Sequence, residues 1–526
     1  MHGRDAGVPG HTGLEVPRGR AGCAAAVNPI PAEMLAFVNG KGGPLPRTRL
    51  VPLIVACALF MENMDSTVIA TSLPQIAAHL GESPIALKLA LTSYLLSLAV
   101  FIPISGWAAD RFGARTVFRG AILVFTLGSI LCGLSSTLFE FVGARILQGM
   151  GGAMMVPVGR LVIFRTVPKS ELVAALAWLT IPGLLGPVIG PPLGGFITTY
   201  FSWRWIFWIN VPIGVLGIVL VSRYIENTRE ADVPPLDAVG AVLSGLGLSG
   251  LVLGFSVVSQ TIVPPAISAS LLIVGAIATG LYVRHARRVP HPVLDLKLLR
   301  LPTMRAALVG GFFFRVGVGA IPFLLPLMLQ LGFGYTAFES GLLTCMAAAG
   351  AMASKTSTAL LLRRFGFRPL LIVSAIVAAV LLAVNGLFRP DTPYIVMAVA
   401  LLVGGWFRSL LFTSLAALAF ADVPRARMSS ATSLSSVAQQ LALSSGVAAA
   451  ALVLELASYF GGEPELSLFD FSMAFYVVGA ISLTALAWFV RLSPTAGEEI
   501  AGRKIVAEDA GIADAAAAPP RDLSQR

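Results

Sequence analysis

The sequence predicts an all-α polytopic membrane protein of fourteen transmembrane helices, arranged as two pseudo-symmetric six-helix bundles plus two inserted helices. Three observations predict this class: the composition, a succession of long apolar segments and an internal repeat. Of 526 residues, 56% are hydrophobic and only 12% are charged. A soluble protein carries about 25% charged residues, so the deficit indicates a chain that crosses a membrane many times.

Fourteen segments are long and apolar enough to span a bilayer, for which a helix needs about 20 mostly apolar residues. The loops between them alternate between arginine-rich and arginine-poor. By the positive-inside rule the arginine-rich loops are cytoplasmic, and an even number of spans then places both termini in the cytoplasm. The segments cover approximately residues 50–73, 86–108, 116–136, 139–163, 172–197, 203–222, 236–257, 264–284, 306–330, 338–361, 369–388, 393–415, 429–457 and 470–491.

An internal repeat divides the chain into two halves. A shift of 253 residues places RFGAR (111–115) on RFGFR (364–368) and Gly151-Gly152 on Gly404-Gly405. Parallel repeats of this kind occur in transporters whose substrate site lies between the halves, near the bilayer midplane. The predicted regions are a disordered cytoplasmic tail (1–47), an N-terminal bundle (48–228), two inserted helices with a cytoplasmic linker (229–298), a C-terminal bundle (299–493) and a cytoplasmic tail (494–526).

Two carboxylates lie inside the first span. Glu62 and Asp65 are three residues apart, so a helix places them on one face, and a charge at mid-bilayer costs about 2.5–3.5 kcal/mol. They should therefore face a protein interior. Asp65 and Arg145 lie about 8 and about 6 residues from the outer ends of spans 1 and 4, which gives them a similar depth. We expect at least one of Glu62 and Asp65 to carry a proton, and we expect Asp65 and Arg145 to form a structural ion pair; the two interpretations are not exclusive.

The repeat predicts a second contact of charges. The shift by 253 residues places Glu62 on Arg315, and we expect these two to form an ion pair across the central cavity, which Gln148 also lines. The alternative is that Arg315 binds carbonyl groups or an anionic part of the substrate. Lys355 and Arg408 lie nearer the cytoplasmic ends of their spans, and we favour their extension to that interface over substrate contact.

Five motifs follow one another along the first half: DSTVIATSLP (65–74), GWAADRFGAR (106–115), RILQGMGGA (145–153), GLLGPVIGPPLGG (183–195) and WRWIFWINVPIG (203–214). Together they resemble the major facilitator superfamily and, most closely, its 14-helix drug:proton antiporter branch. The resemblance covers nearly all of residues 48–493. The second copy of the loop motif is degenerate, because Arg363 occupies the position of Asp110.

The resemblance implies roles for three groups of residues. In the family, the arginine equivalent to Arg145 is tied to proton transfer with a span-1 acid. Asp110 and Arg115 would join the halves at the cytoplasmic side when the protein faces outward; a plain cytoplasmic turn is the alternative. The gating set is Gly106, Asp110, Arg111, Gly113 and Arg115. The antiporter ridge, which should pack on span 10, is Gly183, Gly186, Pro187, Gly190, Pro191, Gly194 and Gly195.

The function predicted from these features is proton-coupled export of amphipathic drugs or secondary metabolites across a bacterial cytoplasmic membrane; the alternative is a proton symporter that imports a small organic solute. The partners would be a small-molecule substrate, protons, the lipid bilayer and, in a double-membrane bacterium, a periplasmic adaptor protein. We expect no nucleic-acid partner, cofactor or metal, since no GxxxxGK[ST] motif or His/Cys metal spacing is present. We also expect no enzymatic activity.

Overall fold

The computed structural model describes residues 47–167, 172–227, 229, 233, 235–257, 264–290, 292–424, 427–461 and 466–497. The predicted N-terminal tail lies outside this part of the chain, except for residue 47. Residues 498–526 of the predicted C-terminal tail and several residues of the linker also lie outside it.

Fourteen long helical segments, α1 to α14 in chain order, run through the described residues, and each matches a predicted span. Twelve of them are long and apolar enough to cross a membrane, as a multi-pass membrane protein requires; α5 and α10 are not in that set, so fourteen spans stay a prediction. The segments are α1 (Arg47–Leu80), α2 (Lys88–Phe112), α3 (Ala114–Leu134), α4 (Leu138–Thr166), α5 (Leu172–Tyr200), α6 (Trp205–Tyr224), α7 (Ala238–Val257), α8 (Pro265–Ala286), α9 (Pro302–Gly332), α10 (Ala337–Phe365), α11 (Phe367–Leu387), α12 (Tyr394–Ala419), α13 (Met428–Gly461) and α14 (Leu468–Phe489).

The repeat is visible in the backbone of two tight turns. Gly113 separates α2 from α3 with φ of 93°, and Gly366 separates α10 from α11 with φ of 78°. Only glycine adopts such angles without strain, and the two glycines are 253 residues apart in the sequence. The loop motif is therefore built the same way in both halves, although its charged residues differ.

Segment α9 departs from regular α-helix at both ends. Its residues Ala306–Gly310 and Met328–Gly332 are π-helical, and Pro322 and Pro326 lie between these two stretches. Proline removes a backbone donor, and π-helical turns occur often at functional sites. This helix is thus the least regular of the C-terminal half.

The two ends of the bundle differ in charge. We call the end with the arginine-rich turns, such as those at Gly113 and Gly366, the basic end, and the other the opposite end. Helices α1–α6 form the N half and α9–α14 the C half. The halves are joined toward the opposite end, where Lys88 Nζ lies 3.0 Å from Glu455 Oε1 and Gln330 Nε2 donates to the Thr71 carbonyl at 2.9 Å.

The contact between α2 and α13 shows how the halves diverge. Ser444 Oγ donates to the Thr92 carbonyl at 3.4 Å. Some twelve to fourteen residues nearer the basic end, Gly106 and Thr432 on the same helices are both exposed. Within the described residues, the hydrogen bonds between the halves do not continue to the basic end.

The glycine-rich helix α5 packs on α10, as the sequence predicts. A side chain at Gly195 would collide with the Ala337 carbonyl, and one at Gly341 would collide with the Pro191 carbonyl. Backbone therefore meets backbone between the halves, at the end where they are joined.

The inserted helices α7 and α8 form a hairpin. Their backbones touch at Gly250 and Gly275. At the basic end, Asp237 Oδ1 lies 2.7 Å from His285 Nε2. Burial opposes ionisation of Asp237, but hydrogen bonds from His285 and from the amides of Gly240 and Val293 hold its pKa below the ordinary value.

The close approach of α5 and α10 can be tested with one methyl group. We expect Gly195→Ala to lower stability by about 1–3 kcal/mol, because the methyl meets backbone that cannot move aside. The measurement is thermal unfolding in detergent. Gly280→Ala on α8 is the control, since its methyl would meet nothing within 4 Å and should be neutral or slightly stabilising. Equal effects at both sites would contradict the close packing.

Candidate functional site

A buried ion pair lies at the centre of the N half. Arg145 Nη1 of α4 donates to Asp65 Oδ2 of α1 at 2.7 Å, and both side chains are 1% exposed. The contact agrees with the similar depth expected for these residues, whereas their part in proton coupling stays a prediction. An ion pair that is excluded from solvent to this extent is stable only if the remaining polar atoms of both groups are also hydrogen bonded.

Two amide side chains complete the environment of Asp65. Gln148 Nε2 donates to Asp65 Oδ1 at 2.8 Å, and Asn210 Nδ2 of α6 donates to the same oxygen at 2.9 Å. Both amides also donate to Ser129 Oγ of α3, at 2.6 and 3.2 Å. Residues of α4 and α6 thus bind the carboxylate of α1, and Ser129 of α3 binds both amides.

This network corrects one expectation and adds two residues. Gln148 does not line a cavity: it is fully buried, because its amide is held between Asp65 and Arg145, whose Nη1 donates to Gln148 Oε1 at 2.6 Å. The sequence analysis did not identify Asn210 or Ser129. The sequence feature that could have identified Asn210 is its position within the apolar segment WINVP (208–212). A buried amide needs polar partners, so this asparagine indicates a polar contact inside the bundle.

Helix α2 covers the other side of the guanidinium. The Arg145 guanidinium carbon lies 4.2 Å from the centre of the Tyr94 ring, and Arg145 Nε donates to the Ala90 carbonyl at 3.4 Å. The cation therefore has an anion, an amide, a carbonyl and an aromatic face around it.

The predicted pair of Glu62 and Arg315 is wrong for this conformation. No ion pair joins them in the described part of the chain: Arg315 Nη1 donates to the Ala307 carbonyl at 3.2 Å, within the π-helical stretch of its own helix. Glu62 Oε2 is buried and has no hydrogen-bond partner among the described residues. The physical reason is that the halves touch toward the opposite end, so equivalent residues nearer the basic end lie apart.

Residues of the gating motif make contacts within the N half. Asp110 Oδ1 lies 2.7 Å from Arg165 Nη2 of α4, and Arg115 Nη1 donates to the Ile225 carbonyl at 3.4 Å. Arg111 is exposed. The predicted link between the halves through Asp110 and Arg115 concerns an outward-facing conformation and stays a prediction.

The glycine ridge also fixes the helix that carries Asp65. Side chains at Gly186, Gly190 and Gly194 would meet α1 at Asn63, at Thr67 and at the backbone of residue 68. Pro187 is half-buried on the same helix. The side-chain surroundings of Gly183 lie outside the described residues.

The hydrogen bonds around Asp65 all run toward its carboxylate oxygens. The three partners of Asp65 all donate N–H groups, so the carboxyl accepts these bonds without a proton. A proton on Asp65 would remove the charge that Arg145 binds and would loosen the four-helix junction. Among the described residues, no group of three His, Cys, Asp or Glu side chains could hold a metal ion.

Comparison with known proteins agrees with this architecture. The sequence profile of the Major Facilitator Superfamily matches residues 55–447 and 307–519. The putative multidrug resistance protein MdtD of Salmonella typhimurium (strain LT2) is 39% identical over 414 residues, which cover 77% of this chain and 86% of that protein. The protein of the same name from Escherichia coli O7:K1 is 39% identical over 423 residues, covering 79% and 88%.

Solved structures show the same fold at low sequence identity. A D-xylose–proton symporter has a TM-score of 0.63 and 15% identity, and the match covers 85% of this chain and 98% of that one. A POT family transporter in complex with 5-aminolevulinic acid has a TM-score of 0.63 and 15% identity, and the match covers 86% and 96%.

The ion pair can be tested with a double-mutant cycle. Arg145→Met leaves the Asp65 carboxylate buried without its cation, which typically costs about 3–5 kcal/mol. Adding Asp65→Asn removes that charge, so the double variant should be more stable than Arg145→Met alone. Thermal unfolding in detergent measures the coupling, which we expect at about 1–3 kcal/mol.

The control for this cycle is Arg284→Met, which removes an exposed arginine of α8. Combined with Asp65→Asn, it should show additive effects. Additive effects in the Asp65 and Arg145 cycle as well, within about 0.5 kcal/mol, would contradict the ion pair.

Proposed function

The chain belongs to the Major Facilitator Superfamily, and we propose that it is a proton-coupled antiporter that exports amphipathic drugs or secondary metabolites by alternating access. The observation that carries this proposal is the ion pair of Asp65 and Arg145, buried in a membrane helix bundle and surrounded only by hydrogen-bond donors to the acid. Intramembrane ionisable residues are retained mainly where they move ions or substrates.

The conformation fits one step of such a cycle. The positive-inside rule assigns the basic end to the cytoplasm, so a protein joined at the opposite end faces inward. In this step Asp65 is paired with Arg145, as expected after a proton has left for the cytoplasm. Protonation from the outside, in the other conformation, would break the pair and release Arg145 from Asp65.

The predicted topology fits this mechanism. Both termini would lie in the cytoplasm, and regions 48–228 and 299–493 would be the two moving halves. Helices α7 and α8 would be the inserted pair between them. In a double-membrane bacterium, a periplasmic adaptor protein could then receive the substrate at the opposite end.

The proton gradient is sufficient to drive export. One elementary charge that moves through a potential of about 150 mV releases roughly 3.5 kcal/mol. At about 1.4 kcal/mol for each factor of ten, one proton supports a substrate gradient of roughly 300-fold.

Relatives named as putative multidrug resistance proteins support the substrate class. These relatives match 77% and 79% of this chain, a region that includes most of the helix bundle. Drugs and secondary metabolites of this kind are amphipathic, and an amphipathic solute can enter a cavity from the membrane surface.

Transport in proteoliposomes tests this function. With a panel of anionic and cationic fluorescent amphipathic compounds, we expect an imposed pH gradient to drive at least one of them out of the compartment that the basic end faces, against the flow of protons. Asp65→Asn should reduce this transport to the level of protein-free liposomes, because the variant has no acid to pair with Arg145. Asp391→Asn, which changes an exposed loop carboxylate, is the control and should transport normally.

The direction of substrate movement relative to proton flow distinguishes an exporting antiporter from an importing symporter. Substrate accumulation in the same direction as proton flow would identify a symporter. Normal transport by Asp65→Asn would show that the coupling site lies elsewhere.

A further inference from the structure

The C half has three cations in the middle of its helices, whereas the N half has the two acids of α1, Glu62 and Asp65. Arg315 of α9, Lys355 of α10 and Arg408 of α12 lie about 10 to 13 residues from the basic ends of their helices, which is about 15–20 Å along each helix. They lie deeper than the terminal turns in which topogenic arginines occur.

Arg315 has an unused hydrogen-bonding edge. Its side chain is 3% exposed, and its guanidinium carbon lies 5.2 Å from the centre of the Phe412 ring. Nη1 binds the Ala307 carbonyl, while Nε is buried and has no acceptor among the described residues. No described residue accepts a hydrogen bond from Nη2 either. The Nε and Nη2 edge of a guanidinium matches the two oxygens of a carboxylate.

We expected the Arg408 side chain to extend toward the basic end, but it extends the other way. Its Nη1 lies 3.7 Å from a Cβ position built on Gly404, one turn nearer the opposite end. Arg408 is half-buried, and no described residue accepts a hydrogen bond from it. Lys355 is exposed, and its Nζ donates to Thr413 Oγ1 at 2.5 Å.

Acidic partners for these cations are absent from the middle of the C half, within the residues that the structure describes. The acids of this half lie in loops or in turns near the ends of the helices. They are Glu339, Asp391, Asp422, Glu455 and Asp470. An unpaired buried cation is costly, and charges kept inside a membrane helix bundle mark substrate or ion pathways.

We propose that the C half binds amphipathic organic anions, with Arg315 and Arg408 as the cations that pair with separate anionic groups of the substrate. This inference rests on the proposed transport function and specifies its substrate class. The guanidinium edge of Arg315 binds a carboxylate in two-pronged fashion, and the Phe412 ring contacts the apolar part of the substrate. Permanently cationic compounds are repelled from the same wall because no acid neutralises it.

Because the acids lie in the N half and the unpaired cations lie in the C half, the proton and the organic anion bind at separate places. The proton is handled by Asp65 and Arg145 in the N half, which are buried and hydrogen bonded to each other, and Asp65 is also hydrogen bonded to Gln148 and Asn210. The organic anion is bound in the C half. A substrate carboxylate therefore does not compete with Asp65 for Arg145.

Binding of two xanthene dyes tests the inference with the purified full-length protein in detergent. Fluorescein is anionic and rhodamine 6G is cationic, and fluorescence anisotropy measures the affinity of each. We expect the wild-type protein to bind fluorescein at least about tenfold more tightly than rhodamine 6G. Arg315→Gln and Arg408→Gln should each weaken fluorescein binding about tenfold or more, the effect of one lost charged hydrogen bond.

Two further variants make this result specific. Arg315→Lys keeps the charge and should retain part of the affinity for fluorescein. Arg305→Gln removes an exposed arginine of the same helix and should change neither affinity. If Arg315→Gln does not fold, Arg408→Gln carries the test alone.

Tighter binding of rhodamine 6G, or unchanged fluorescein affinity in the glutamine variants, would overturn the inference. The two proposals fail separately. Export of rhodamine 6G that depends on Asp65, without fluorescein binding, would overturn the anion site and leave the antiporter. Fluorescein binding that depends on Arg315, without transport driven by a pH gradient, would overturn the antiporter and leave the anion site.

Discussion

A charge inside a bilayer must find a partner within the protein, and this requirement organises the N half. Asp65 and Arg145 form an ion pair at 2.7 Å, and the amides of Gln148 and Asn210 both donate to the other oxygen of the acid. Because Asp65 of α1 binds partners on α4 and α6, and Ser129 of α3 binds both amides, one hydrogen-bonded network connects four helices. A change in the charge of Asp65 therefore alters packing as well as electrostatics.

The C half meets the same requirement differently. Its intramembrane cations lack acidic partners among the described residues, and Arg315 is bound only by a carbonyl and an aromatic ring. The halves are joined at the opposite end by the backbone contact of α5 with α10 and by the ion pair of Lys88 with Glu455. This arrangement fits the alternating access proposed above, in which two pseudo-symmetric halves move against each other.

Much of this architecture could be predicted from sequence, because hydropathy and loop charge report directly on the bilayer. The repeat predicted that Gly113 and Gly366 are equivalent, and residue depth predicted that Asp65 and Arg145 are close. The direction in which a side chain leaves a wholly apolar helix is not encoded in any periodicity, so Asn210 was missed and Gln148 was placed in a cavity. The predicted pairing of Glu62 with Arg315 was wrong for this conformation because the sequence repeat does not specify at which end the two halves touch.

The central claim is that Asp65 is the residue that carries the proton. Infrared difference spectroscopy of the purified protein, between neutral and acidic pH, detects the band of a protonated carboxyl group directly and needs no substrate. The account predicts that a band from a buried carboxyl appears on acidification, disappears in Asp65→Asn and persists in Glu62→Gln. A band that is unchanged in Asp65→Asn, or that is lost in Glu62→Gln, would contradict it.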